Sequence, residues 1–148
     1  MKKFLLIALV FMLAACSAGG SEFERNQQKW NDANITHYRF ELSIGCFCAF
    51  RSQMPLTVEV QNSEVVSMID VNGKAVSPTD PMNETFSKYA MIDHLFSELE
   101  ADLNGDADEV TVTYDSTYGF PAEIKIDRIK EAVDDELYLN ASNFEALP

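Results

Sequence analysis

Positive charge is scarce in this 148-residue chain: 11 Lys and Arg stand against 24 Asp and Glu, for a net charge of −13. That balance repels phosphate backbones, so no nucleic acid is expected as a partner. Histidine is reduced to His37 and His94, and cysteine to Cys16, Cys46 and Cys48. After the first sixteen residues no apolar run reaches the roughly eighteen needed to span a bilayer as a helix. No glycine-rich loop offers a phosphate cradle, and no serine sits in a nucleophile elbow. Ser and Asp abound without the arrangement of a triad. The expectation is a protein without its own catalysis and without a cofactor. What is present is a 47% apolar composition, enough for the packed core of one modest domain.

The N-terminus reads as an address. Met1-Lys2-Lys3 is a short basic segment, and Phe4 to Leu13 is an apolar run of signal-peptide length. Leu13-Ala14-Ala15-Cys16 then looks like a lipobox, in which the Cys16 thiol receives a diacylglycerol. Residues 1–15 are therefore expected to be a lipoprotein signal peptide and 16–21 a lipidated cysteine with a flexible Ser/Ala/Gly tether. Residues 22–148 form a single domain. Cleavage removes Lys2 and Lys3 and leaves the remainder more acidic by two charges. Acyl chains on Cys16 are the expected membrane anchor. Ser17, in place of Asp, resembles the pattern sorted to the outer membrane of a Gram-negative cell, facing the periplasm.

Within the domain, Ser21-Glu22-Phe23-Glu24 has the form of a capping box opening a helix to about Asp32, with Phe23 and Trp30 on one face. Strict alternation marks strands at His37–Ile44, Leu56–Gln61 and Val65–Val71, joined by short polar turns. Lys74 to Thr85, with two prolines, reads as a loop. Ile92, Leu95, Phe96, Leu99 and Leu103 share one helical stripe, and a helix is expected over Ser87–Leu103. Val110–Tyr114 and Ile124–Asp127 form a hairpin, and Leu137–Leu139 a further short strand. The fold class is α+β: an antiparallel sheet of about five to six strands, with an N-terminal helix and one central amphipathic helix packed on it.

Cys46 and Cys48 are the sharpest chemical feature, because thiols in an oxidising compartment rarely stay free. Three chemistries are open to them. They form a disulfide, for which the chain must turn and Gly45 would help. They hold Cu(I) or Zn(II), with Met54 or His37 completing the shell. Or they exchange with another thiol. Asp102, Asn104, Asp106, Asp108 and Glu109 crowd one loop, but Ala107 and Thr113 break the EF-hand template, so cap and turn roles are expected. Asp134-Asp135-Glu136 reads as a loop or strand edge before an ion site. His94 lies at the boundary of the buried stripe. Tyr118-Gly119-Phe120-Pro121 either closes the core end of a hairpin or forms an exposed interaction patch.

Trp30, His37-Tyr38-Arg39-Phe40, Cys46-Phe47-Cys48, Val58-Glu59-Val60, Ile92-Asp93-His94-Leu95-Phe96 and Tyr114-Asp115-Ser116-Thr117-Tyr118-Gly119-Phe120-Pro121, followed by Ile124-Lys125-Ile126-Asp127 and Asp134-Asp135-Glu136, resemble a family of small bacterial lipoproteins and secreted proteins, DUF6174. The resemblance covers nearly all of Trp30 to Phe144. The family has no established activity, so it implies no catalytic residues. The functional expectation is a lipid-anchored cell-envelope protein that binds an envelope protein or a small ligand. The alternative is a metal-binding (Cu or Zn) or thiol-redox protein using Cys46 and Cys48.

Overall fold

The computed structural model describes residues 21–148. The expected signal peptide, the lipidated Cys16 and the tether as far as residue 20 lie outside the described residues. Helix α1 spans Glu22–Ala33, and Ser21 is its N-cap. The Ser21 hydroxyl accepts from the Glu24 N–H at 3.2 Å, and the Glu24 carboxylate accepts from the Ser21 N–H at 2.7 Å. Two otherwise orphaned donors are thereby satisfied, as the capping box requires. Asn34, in the left-handed region at φ 48°, ends the helix.

Six strands follow: β1 (His37–Gly45), β2 (Leu56–Gln61), β3 (Glu64–Ile69), β4 (Glu109–Tyr114), β5 (Pro121–Asp127) and β6 (Leu137–Ala146). They form one sheet in the order β3-β2-β1-β6-β5-β4, with every pair antiparallel. The sheet is two three-stranded meanders joined edge to edge through β1 and β6. Between β3 and β4 the chain passes through α2 (Asn83–Ser87) and α3 (Ile92–Leu103).

The alternation of β1 buries Tyr38, Phe40, Leu42 and Ile44 on one face, together with Leu56, Val58 and Val60 of β2 and Ile124, Ile126 and Leu139 of β5 and β6. Phe86, Ile92, Leu95, Phe96 and Leu99 from the helices close that face. Each such side chain contributes about 1.5–3 kcal/mol of burial. The opposite face carries Arg39, Glu41, Glu59, Thr111, Glu123, Lys125 and Tyr138 and stays open to solvent. Antiparallel sheets tolerate one solvated face, which is why the alternation is so legible.

Three expectations need correction. The central helix starts at Ile92, not Ser87, because Met91 is extended (φ −135°, ψ 147°) and the Tyr38 hydroxyl accepts the Ile92 N–H at 3.1 Å. The segment read as a loop to Thr85 contains the one-turn-long start of α2, which sinks Phe86 into the core. The last strand is no short appendage. At ten residues β6 is central, and its register slips between Arg39 and Glu41 of β1.

Candidate binding site

Beyond β1 the chain makes its tightest reversal. The Cys46 carbonyl accepts the Cys48 N–H at 2.8 Å, a three-residue turn, and the two sulfurs are bonded across a Cα–Cα distance of 5.2 Å. So small a ring leaves Phe47 no inward direction: its side chain stands 79% exposed while Phe50, three residues on, is buried against Phe86. A ring this short constrains the unfolded chain by only about 1.5 kcal/mol, against about 3 kcal/mol for a fifteen-residue loop. Its main effect is local. It fixes the turn and points Phe47 into solvent.

Beside this knuckle lies an open cleft of about 240 Å³, lined by Gly45, Cys46, Phe47, Arg51, Glu136 and Tyr138, with Asp134 at its rim. Strand register explains how these residues meet. Gly45 pairs with Tyr138, Tyr138 with Lys125, and Lys125 with Thr111, all on the open face. The Tyr138 ring crosses the Gly45 backbone: a Cβ at position 45 would lie 3.2 Å from Tyr138 Cβ. Glycine here lets an aromatic side chain lie across a strand. Tyr138 is half exposed, so the cleft has two aromatic walls, Phe47 and Tyr138.

The loop over residues 128–136 forms the far wall, and carboxylates hold it. Asp102 pairs with Arg128 at 2.9 Å, Asp108 accepts the Lys130 N–H at 2.8 Å, and Asp135 accepts the Ile129 N–H at 2.7 Å. The acidic loop that raised the question of calcium thus supplies a helix cap at Asn104 and straps for its neighbour. Among the described residues no group of three or more His, Cys, Asp or Glu is gathered as a metal shell.

The metal reading of Cys46 and Cys48 asked His37 or Met54 for further ligands, and the geometry does not assemble that set. His37 begins β1 and Cys46 follows its end, a separation on the order of 26 Å at strand spacing. The His37 ring bonds instead to the Pro148 backbone oxygen (2.9 Å) and to Glu59 (3.1 Å), and these two partners, in that order, raise its pKa above the usual 6.5. Met54 is closer, but its sulfur accepts the Ile44 N–H at 3.4 Å, and the two cysteine sulfurs are bonded to each other. His94 sits at the helix boundary, its Nδ1 bonded to the Ser87 carbonyl at 2.9 Å.

The exposed-patch reading of Tyr118, Gly119, Phe120 and Pro121 is also corrected. Gly119 and Pro121 are buried and Phe120 is 2% exposed, packed against Trp30 and Phe144 with ring centroids 6.1 and 4.8 Å away. Tyr118 leans on Phe144 at 5.3 Å. Gly119, at φ 81°, passes so close to α1 that a Cβ would lie 2.6 Å from the Asn26 carbonyl oxygen. The segment closes the core and seats α1. Asp115 supports the turn, its carboxylate accepting the N–H groups of Thr117 (2.9 Å) and Tyr118 (2.6 Å).

Sequence reading singled out Cys46 and Cys48 but passed over Phe47, Arg51 and Tyr138. Two signals were available. An aromatic residue between two bridged cysteines can only point outward, and Tyr138 falls out of phase with the apolar Leu137 and Leu139 on either side.

Curated proteins offer no match to the chain. A family model, described only as a family of unknown function, matches residues 22–146, which takes in both the knuckle and β6 with its bulge. By that match the chain belongs to the DUF6174 family.

Proposed function

We propose that this is a lipid-anchored protein of the bacterial cell envelope that works by binding, through the cleft between Phe47 and Tyr138. The observation that carries the reading is the 79% exposure of a phenylalanine fixed in a three-residue ring beside a concave surface. A large apolar side chain held in water is costly unless something covers it, and a rigid anchor loses little entropy on docking. Loop 128–136 adds Ile129 and Val133, both solvent-exposed, on the side of Asp134 and Glu136. The lipobox at Leu13–Cys16 supports anchoring through acyl chains on Cys16, with the domain facing the periplasm if the host is Gram-negative.

The test is site-specific photo-crosslinking in cells, with benzoylphenylalanine in place of Phe47, and in place of Val66 on edge strand β3 as an exposed control away from the cleft. The proposal expects a discrete adduct at position 47, none at 66, and loss of the adduct in the Cys46→Ser, Cys48→Ser double variant. Equal labelling at both positions would contradict it. In the same cells, Cys16→Ala is expected to move the protein from the membrane to the soluble fraction.

A further inference from the structure

The cleft does not end at Tyr138. A second depression shares Tyr138 and Glu136 with it and continues past Lys125 to Asp127 and Glu109. Register places Glu109 opposite Asp127 on the open face, at the end of the sheet where the loop over 128–136 returns to β6. One groove therefore runs from Phe47 and Tyr138, with Asp134 and Glu136 beside them, to an acidic end at Asp127 and Glu109. Its cations are Arg51 at one end, Lys125 in the middle and Lys130 beside the acidic end; Lys125 is paired to Glu123 at 3.0 Å and Lys130 to Glu109 at 3.8 Å.

We propose that this groove takes an extended peptide segment in which lysine or arginine adjoins an apolar residue, the apolar group resting on Phe47 and Tyr138 and the cation lying among Glu136, Asp134 and Asp127. The proposal rests on the reading of the cleft as a binding site and adds the chemistry of what it binds. Three observations favour a cationic occupant. Carboxylates outnumber cations along the groove, so its charge complements a basic segment. Behind the acidic end, the Oδ1 atoms of Asp127 and Asp135 are shielded from solvent and accept no hydrogen bond among the described residues, so no local donor draws off the negative charge there. The Asp127 carboxyl is pushed up first by burial and then by the negative charges of Asp135, Glu136, Asp108 and Glu109. The Tyr138 ring face at the junction suits a cation–π contact.

The test is calorimetric titration of the full-length chain, purified in a nonionic detergent, with two pentapeptides: alternating lysine and leucine, and alternating glutamate and leucine. The lysine peptide is expected to bind about tenfold more tightly, and Asp134→Asn with Glu136→Gln to remove most of that margin, as two partly desolvated charge pairs would. Neutralising two exposed carboxylates away from the groove, Glu64→Gln with Glu84→Gln, controls for the overall charge and is expected to change affinity less than about twofold. Phe47→Ala is expected to weaken the lysine peptide. If both double variants lose affinity equally, the preference belongs to the whole acidic surface and the proposal fails. If the two peptides bind alike but Phe47→Ala still weakens them, the cationic inference falls and the binding reading stands. If Phe47→Ala changes nothing, both fall.

Discussion

Gly119 and His37 illustrate what single residues decide in this fold. Gly119 combines a positive φ with a backbone contact to α1 that no side chain fits. Gly119→Ala is expected to destabilise the fold by about 1–3 kcal/mol from backbone conformation alone, before the collision with Asn26 is added, and so to lower the melting temperature. Thermal denaturation reads this directly, and an unchanged midpoint would show that α1 is not seated as described. His37 ties the end of β6 to β1 and β2. Its folded pKa is raised, so its contribution to stability is complete below the unfolded value near 6.5 and is lost as pH rises through the folded value. NMR titration of the ring should give a pKa above 6.5, and Glu59→Gln should lower it. Asp127 is a carboxyl whose pKa is also raised, so its charged form opposes folding above that pKa. Asp127→Asn is expected to raise the melting temperature at neutral pH, with the gain shrinking as the pH falls toward the unfolded carboxylate value; a loss at neutral pH would contradict this.

Among the elements, β6 shows most clearly how a bulge hides a strand. Leu137, Leu139 and Ala141 face the core at odd positions, then Asn143 and Phe144 together stand opposite the single residue Phe40 of β1 and the parity changes. Phe144 thereby returns to the core side, stacking on Tyr38 at 5.5 Å and meeting Trp30 at 5.8 Å. Asn143 holds the bulge at φ 51°, its amide donating to Glu41 at 2.8 Å. Asn143→Val is expected to cost about 1–3 kcal/mol, while Asn143→Gly keeps the backbone and costs less; chemical denaturation of the two variants separates backbone from side chain. Strands β1 and β2 were legible in the sequence because one face is dry and the other wet along their length. The capping box at Ser21 was legible because it is wholly local. Only the first three residues of β6 were readable, since an alternation test cannot follow a parity change. The break between α2 and α3 was hidden for a related reason: Tyr38, 54 positions earlier, caps Ile92. The site was half visible, in the two cysteines, while Tyr138 and Arg51 reach it only through pairing and loop return.

At the scale of the whole molecule, helices seal one face of the sheet, leaving the other face and its ends free to meet partners. The aromatic cluster of Trp30, Tyr38, Phe120 and Phe144 fastens α1 to the middle of the sheet, and the Trp30 indole N–H donates to Asp93 at 2.9 Å, joining α1 to α3. The Cys46–Cys48 ring packs partly buried against the edge of the core, and as a short loop it constrains the chain little. The double variant Cys46→Ser, Cys48→Ser should therefore stay folded, losing on the order of 1–2 kcal/mol, while the presentation of Phe47 is lost. Everything proposed for the cleft turns on that ring being closed in the cell. The direct measurement is the intact mass of the protein purified from its native host, denatured in the presence of a thiol-alkylating reagent without reductant. The account predicts no label on Cys46 or Cys48 and a mass two hydrogens below that of the reduced chain. Two alkylated thiols at those positions would contradict it and leave Phe47 on an unbraced loop.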